Sequence, residues 1–281
     1  MRRVLVCAML LALPCLAAEP IKALIVDGQN NPAWKETTPV LKRLLEETGL
    51  FRVDVATSPA KGEDLSGFRP RFAQYAVVVS NYNGADWAPE TQKDFENYIR
   101  AGGGFVCYHA ADNPFPGWKA YNEMIAVAGW GKQTGALIRY REGKFVRDET
   151  PGRAGHHGPR YVFEIIDRDM KHPITRGLPE KWLHNTDELY DSMRGPAKID
   201  VLSTAFSKKE LAGTGEHEPM LMVNRYGKGR IFHTTLGHDL EAMRCVGFIV
   251  TYQRGTEWAA TGKVTQKVPK DFPTADKVSL R

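Results

Sequence analysis

The 281-residue sequence has few of the features that mark several large classes of protein. Its four cysteines are too few for a disulfide framework. A membrane-spanning helix needs about 20 apolar residues, and no apolar stretch of the sequence is that long. Positive charge is only slightly in excess, with 38 Lys and Arg against 33 Asp and Glu, and no basic cluster recurs on one predicted face. We therefore expect no membrane span and no nucleic-acid partner.

Familiar catalytic and metal-binding motifs are missing as well. The sequence contains no Gly-x-Ser-x-Gly nucleophile elbow, no His-Glu-x-x-His zinc motif and no Cys-x-x-Cys pair. At the place where an elbow would carry its nucleophile, after the apolar run 104–108, the residue is His109. Acyl transfer by an amidohydrolase or peptidase is therefore disfavoured. We also expect no nucleotide cofactor.

The N-terminus is organised like a secretory signal. Two arginines precede the apolar segment 4–13, and small residues at 15–18 offer a cleavage site. We expect residues 1–18 to be a signal peptide and the mature protein to be periplasmic or secreted. Loss of the two arginines would lower the formal charge from +5 to +3. A lipoprotein anchored at Cys15 is the alternative.

Two cysteines remain after the expected signal. Cys107 lies in a predicted buried strand, and Cys245 lies near the start of a predicted helix. We expect both to be core thiols, with a disulfide between them as the less favoured alternative.

Residues 19–281 suit one large α/β domain. Strand, loop, helix and strand alternate in the first part, which predicts a mostly parallel sheet with helices on both faces. Thr38 and Pro39 suit the first positions of the first helix. From about residue 264 the composition predicts an extended C-terminal tail. Three apolar runs followed by polar loops are predicted to be buried strands: 22–26, 75–80 and 104–108.

Two histidines follow predicted strands. His109 comes directly after the run 104–108, and His238 follows a second apolar run at 230–235. Loops beyond the carboxyl ends of parallel strands form the ligand crevice of an open α/β sheet. Imidazole transfers protons near neutral pH or binds a metal. We therefore expect a site role for both residues, with hydrogen-bonded structural histidines as the alternative.

Carboxylates complete this candidate site. Asp187 and Glu188 stand beside apolar and aromatic residues, where burial would raise a carboxyl pKa and suit acid–base catalysis. A solvated acidic turn is the alternative. One divalent metal, with zinc favoured, is a further expectation, because catalytic zinc commonly takes three His, Asp or Glu ligands. The candidate ligands are His109 and His238 with either Glu188 or His184.

Aromatic and amide side chains concentrate near the same predicted loops, a combination that suits a small carbohydrate. The aromatics are Trp34, Tyr82, Trp87, Trp118 and Trp130. Large aromatics that only cover the sheet are the alternative. The candidate substrate-binding residues are Asp27, Gln29, Asn30, Trp34, Asn81, Asp112 and His157.

Taken in order, several stretches resemble the ThuA-like (trehalose utilisation) family, whose fold resembles class I glutamine amidotransferases. The matching stretches are 27–31, 102–111, 172–178, 187–190, 226–230, 236–239 and 257–260. The resemblance implies a flavodoxin-like sheet without amidotransferase chemistry. It also implies that His109 and His238 meet in space, near the positions of an amidotransferase cysteine and triad histidine.

The family is linked to catabolism of trehalose and related glycosides through 3-keto-sugars. We therefore expect an exported carbohydrate-processing hydrolase, lyase or isomerase. In this hypothesis His109 or His238 is the base, Glu188 is the acid, and a bound metal polarises the ketone. A non-catalytic sugar-binding or accessory protein is the alternative, and the oligomeric state is left open.

Overall fold

A computed structural model describes residues 19–31, 33–130 and 134–281, so the expected signal peptide lies outside the described residues. Within these ranges the chain forms thirteen strands and five α-helices. The strands are β1 Ile21–Asp27, β2 Phe51–Thr57, β3 Val77–Ser80, β4 Gly104–Tyr108, β5 Leu137–Arg141, β6 Lys144–Asp148, β7 His156–His157, β8 Tyr161–Asp167, β9 Lys181–Asp187, β10 Tyr190–Asp191, β11 Asp200–Phe206, β12 His217–Tyr226 and β13 Gly229–Thr234. The helices are α1 Trp34–Glu46, α2 Pro89–Ala101, α3 Lys119–Ile125, α4 Leu240–Met243 and α5 Val246–Thr261.

Nine strands form one mixed sheet in the order β2-β1-β3-β4-β13-β12-β11-β8-β9. Strands from β2 to β13 in this order pair in parallel. Strands from β13 to β9 pair antiparallel. The expected mostly parallel arrangement therefore describes only one half. The other half is antiparallel because its strands are joined by turns and loops rather than by the long helical crossovers that parallel strands need.

Helices cover both faces of the parallel half. In β1, Ala23 and Ile25 face the core beneath α1 and α5, whereas Leu24 and Val26 face the core beneath α2 and α3. All four side chains are buried, which explains why the strand is apolar throughout instead of alternating. This arrangement leaves the loops at the carboxyl ends of the strands free to form a site.

The first helix begins five residues earlier than the sequence suggested. It starts at Trp34, and Pro39 is its sixth residue rather than its first. The Thr37 and Thr38 side chains are buried, and each hydroxyl accepts a hydrogen bond of 3.0 Å from Asn81 Nδ2. The Thr38 hydroxyl thus binds the neighbouring loop instead of capping a helix that starts at Pro39, so the expected N-terminus was wrong.

Three smaller features concern the two cysteines, the length of the helices and the C-terminal segment. Cys107 and Cys245 are buried free thiols, as expected for core positions. No helix among the described residues is long and apolar enough to cross a membrane. Beyond α5 the chain runs without a helix or extended strand, and Leu280 forms a single bridge with Cys245.

A buried acid at the end of β8 gives the first testable prediction. Burial raises the pKa of Asp167 to about 7, despite opposing hydrogen bonds from Ser203 and Trp182. The folded state therefore binds the proton more tightly than the unfolded state, and stability should fall as pH rises from about 4 to about 7. We expect Asp167→Asn to raise the free energy of unfolding at pH 8 by about 2–4 kcal/mol, and by much less at pH 4.

Urea denaturation of both proteins at the two pH values measures this difference. An asparagine can keep both contacts, because its oxygen accepts from the Trp182 indole and its amide donates to the Ser203 hydroxyl. Equal stabilities at pH 8 would contradict the prediction.

Candidate functional site

His109 lies in the sharp turn after β4 and is fully buried. Its backbone has a φ of 44°, in the left-handed region that most residues avoid. Its Nδ1 is 2.7 Å from the carbonyl oxygen of Thr235, which can only accept. Nδ1 therefore carries the hydrogen, and Nε2 of the neutral ring presents a lone pair. The turn and this bond together aim Nε2 at the other site residues.

Three polar atoms converge at this Nε2. His238 Nδ1 is 3.2 Å from His109 Nε2. Glu188 Oε2 is 3.1 Å from His238 Nδ1 and 3.7 Å from His109 Nε2. One ligand atom from each of these three residues lies within 4.8 Å of the other two, so the three residues could hold one metal ion. All three residues were candidates from the sequence, and the structure brings them together.

The electrostatics favour an ionised Glu188. Burial alone would raise its pKa, but His109 and His238 outweigh burial and hold the pKa of this carboxyl well below its usual range. For His109, burial lowers the pKa, while Glu188 and Asp187 outweigh it and leave the pKa raised. An ionised Glu188 fits a base or a metal ligand better than the acid expected from sequence.

Asp187 holds together the two backbone segments that carry His238 and Glu188. It is fully buried and accepts backbone hydrogen bonds from Gly237 at 2.7 Å, His238 at 3.1 Å and Glu188 at 2.8 Å. Gly237 has a φ of 97°, and a Cβ there would lie 2.6 Å from the Phe248 ring, so the turn requires glycine. The Asp187 carboxylate thereby ties the loop carrying His238 to the segment carrying Glu188.

His184 lies behind Asp187 and is not one of the three converging residues. Its Nε2 is 2.7 Å from Asp187 Oδ2, and its side chain is fully buried. Burial lowers the pKa of His184, but Cys245 and Asp187 outweigh burial and raise it to about 9. Glu188 and His184 were the two candidates for a third metal ligand. The structure places Glu188, and not His184, beside His109 and His238.

A cavity of about 400 Å³ opens above the three converging residues. His157 lines it, with Nε2 3.6 Å from Glu188 Oε1, while its Nδ1 donates to the Gly158 carbonyl at 2.9 Å. Strand β7 holds His157 by pairing it with Tyr190 of β10. The lining residues are Asn31, Asn83, Ala110, Asn113, Pro116, Trp130, His157, Glu188, Tyr190 and His238.

Most of the other predicted substrate-binding residues support the loops instead of lining this cavity. Asn81 is buried and accepts from Asn30 Nδ2 at 2.8 Å. Gln29 is buried and bridges the Pro59 carbonyl and the Ala85 amide. Asp27 and Asp112 are also buried. The alternative for the aromatics holds for the buried Tyr82, Trp87 and Trp118, which belong to the core.

Trp34 lines a second cavity, of about 540 Å³, next to the first. This second cavity also contains Gln29 and Asn30, and it shares Asn31 and Asn83 with the cavity above His109. The two amides at the boundary were not among the predicted site residues. They stand one and two positions after Asn30 and Asn81, so the right loops were identified but not the side chains that reach the opening.

Tyr190 is another functional candidate that was not among the predicted site residues. Its hydroxyl is 2.9 Å from His109 Nε2, and the two ring centroids are 4.4 Å apart. Burial is the main reason that its pKa lies well above the usual value, so the phenol is protonated and donates to Nε2 when the His109 ring is neutral. Tyr190 ends the matching stretch 187–190, but nothing in that stretch assigns it a role, and its contact with His109 is what identifies it.

A family model and a solved structure both relate this chain to the same family. The ThuA model, described as trehalose utilisation, matches residues 22–259. A solved protein of Parabacteroides merdae described as ThuA-like is 48% identical, covers 94% of this chain and 98% of its own, and superposes with a TM-score of 0.92. A second such protein, from Bacteroides uniformis, is 18% identical, covers 90% of this chain and 97% of its own, and has a TM-score of 0.62, which supports the fold alone. No curated protein matches the sequence. The chain therefore belongs to the ThuA, or trehalose utilisation, family.

Proposed function

We propose that this protein is an exported enzyme that processes a small carbohydrate, a glycoside or 3-keto-sugar, by proton transfer next to a carbonyl group. The observation that carries the proposal is the convergence of His109, His238 and Glu188 beneath a cavity. Three titratable groups at the base of a concave site are a combination typical of catalysis. Export rests on the signal-like pattern of residues 1–18.

The cavity lining suits a sugar. Its volume of about 400 Å³ falls within the roughly 300–1,000 Å³ of small-molecule sites. Asn31, Asn83 and Asn113 offer amide donors and carbonyl acceptors, which match the hydroxyl groups of a carbohydrate. Trp130 adds an aromatic surface on which the apolar face of a sugar ring can pack.

The chemistry follows from the groups around His109. A hydrogen on the carbon next to a ketone is acidic enough for a positioned base to remove it. The C–H electron pair then forms an enolate with its charge on the ketone oxygen, and a donor such as the Tyr190 hydroxyl stabilises that charge. Protonation of the enolate at carbon gives isomerisation. In elimination, the enolate electrons form a C=C bond as the neighbouring C–O bond breaks, and the group that took the first proton returns it to the departing oxygen, which leaves as an alcohol. The ionised Glu188 is suited to receive the proton.

The strand order also fits a flavodoxin-like assignment of the parallel half. Counted along the chain, the five parallel strands have the order 2-1-3-4-5, which is the flavodoxin order. Asn31, Asn83 and His109 follow β1, β3 and β4, so the proposed site occupies the crevice where such folds bind ligands.

Proton exchange measured by NMR in D₂O tests the proposal, with a panel of 3-keto-glycosides and their parent glycosides. We expect the wild-type protein to exchange or convert a keto-sugar. His238→Ala should lower the rate at least about 100-fold, because acid–base groups contribute about 10²–10⁴. His238 is partly exposed, so the variant should fold. Arg69→Ala, in an exposed ion pair outside this cavity, is the matched control and should keep the full rate.

A non-catalytic sugar-binding protein is the competing function, since the same amides and Trp130 could hold a glycan without turnover. Calorimetric titration with the same sugars separates the two. Binding without any conversion, with His238→Ala binding as tightly as the wild type, would favour the binding protein and overturn the enzyme. Conversion lost in His238→Ala would exclude the binding-only alternative.

A further inference from the structure

We propose that His109 Nε2, His238 Nδ1 and Glu188 Oε2 bind one divalent transition-metal ion, with zinc as the best fit. The proposal concerns the same site as the proposed function and supplies it with a cofactor. The donor set of two imidazole nitrogens and one carboxylate oxygen is one that zinc takes in catalytic sites and that other first-row divalent ions also accept.

The spacing of the three atoms fits an ion between them. Ligand atoms about 2.0–2.2 Å from a tetrahedral ion lie about 3.3–3.6 Å apart. The observed separations are 3.2 Å between the two imidazole nitrogens, and 3.1 and 3.7 Å from these nitrogens to Glu188 Oε2. Movements of a few tenths of an ångström would therefore complete the site.

The surrounding contacts are those of a metal centre. Metal-binding histidines usually donate their other ring hydrogen to a carbonyl or carboxylate, which fixes the tautomer and the ring. His109 does so through Nδ1 to the Thr235 carbonyl at 2.7 Å. The backbone amides of His238 and Glu188 are both held by Asp187. The side chain of His109 and the backbone that carries His238 and Glu188 are thus positioned in advance.

The site also has an open side. The side chains of His238 and Glu188 are 26% and 12% exposed and line the cavity, whereas His109 is buried beneath them. Catalytic zinc sites keep such a position for water or substrate. An ion here would supply a Lewis acid that polarises a ketone oxygen. His157 and Tyr190, which flank the three ligands, would then be the groups left to carry protons.

Tyr190 makes the proposal sharply testable. Its hydroxyl donates to the same Nε2 lone pair that an ion would need, so the hydrogen bond and the metal compete. A neutral hydrogen bond contributes about 1 kcal/mol, equivalent to about a fivefold change in affinity. Tyr190→Phe should therefore tighten metal binding about fivefold. Glu188→Gln keeps the shape of the side chain but removes the anionic ligand. It should weaken metal binding at least about 100-fold, because replacing even a group that only hydrogen-bonds to a ligand costs 10–100-fold.

The experiment uses untagged full-length protein, stripped with a chelator and then titrated with Zn²⁺ and with Co²⁺. Elemental analysis gives the stoichiometry, and the visible spectrum of Co²⁺ reports its coordination. We expect one equivalent of bound ion in the wild type, with the opposite changes in the two variants. Glu123→Gln is the control, because Glu123 is 41% exposed on α3 and should leave affinity unchanged. Circular dichroism verifies that each variant is folded.

The outcomes separate this proposal from the proposed function. Failure of the wild type to retain stoichiometric metal at micromolar concentrations would overturn the metal centre, as would equal affinities of the wild type and Glu188→Gln. Full keto-sugar turnover by metal-free protein would overturn the ion as a cofactor of the reaction while leaving the enzymatic proposal standing. Stoichiometric binding with the expected variant effects, but no turnover of any sugar, would support the metal centre and count against the proposed function.

Discussion

Replacing His109 with asparagine is expected to lower kcat/KM for the keto-sugar at least about 1,000-fold while leaving the fold intact. Asparagine tolerates the left-handed φ of 44° better than most residues. Its Nδ2 can also replace His109 Nδ1 as donor to the Thr235 carbonyl. No atom of asparagine reaches the position of Nε2, where Tyr190, His238 and the proposed ion meet. A 1,000-fold loss corresponds to about 4 kcal/mol of transition-state stabilisation.

Steady-state kinetics and thermal melting of the same preparations provide the measurement. His172→Asn is the matched control, because His172 Nδ1 accepts from the Ile174 amide in a turn outside the candidate site, and an asparagine oxygen can replace it. We expect the control to keep wild-type kcat/KM and both variants to melt near the wild-type temperature. A His109→Asn enzyme that retained a tenth of wild-type kcat/KM would show that Nε2 is not part of the chemistry.

The positions of His109 and His238 were predictable because each follows a strand with a recognisable apolar run. An apolar run such as Phe105 to Cys107 is typical of a strand buried on both faces of a covered parallel sheet, and the polar residue after it is expected at the end of that strand. Strands β4 and β13 are parallel neighbours, so His109 and His238 begin from adjacent positions. The strand pattern alone predicted both loops, and the family resemblance supplied their proximity.

The sequence analysis selected Glu188, but its position beside His109 and His238 could not be derived from the strand pattern. Strand β9, which precedes it, is the last strand of the sheet order, four places from β13. The segment 187–190 reaches His109 through the bonds of Asp187 to the Gly237 turn and through β10. The periodicity of a strand does not show that the segment after β9 comes back to His109. The pairing order in the antiparallel half is set by long-range contacts.

The substrate-binding predictions failed to distinguish which polar side chain of a loop faces the cavity. Asn81 and Asn83 are only two positions apart, yet Asn81 turns inward to Thr37 and Thr38 and Asn83 lines the opening. Residue type is the same, so composition cannot separate them. The difference arises because helix α1 starts early enough to present two threonine hydroxyls to Asn81.

The largest stability loss is expected for Asp187→Asn, at about 3–5 kcal/mol. The carboxylate accepts from three backbone amides and from His184 Nε2, all within a buried site. An asparagine has one acceptor oxygen, and its amide hydrogens would face donors on the other side. The variant would leave buried N–H groups unsatisfied and remove the partner of His184. The loops carrying His238 and Glu188 would also separate, so turnover should fall with stability.

Asp167→Asn is the natural comparison, since it makes the same chemical change at another buried aspartate and is expected to have the opposite sign. Asp167 receives side-chain hydrogen bonds from Ser203 and Trp182, and the serine hydroxyl can reverse its role to accept from an amide. The donors to Asp187 include three backbone N–H groups that cannot reverse. Urea denaturation of both variants at pH 8 therefore tests whether fixed donors determine the need for a carboxylate. Equal effects at the two positions would show that burial alone decides the outcome and that Asp187 does not hold the site together through these bonds.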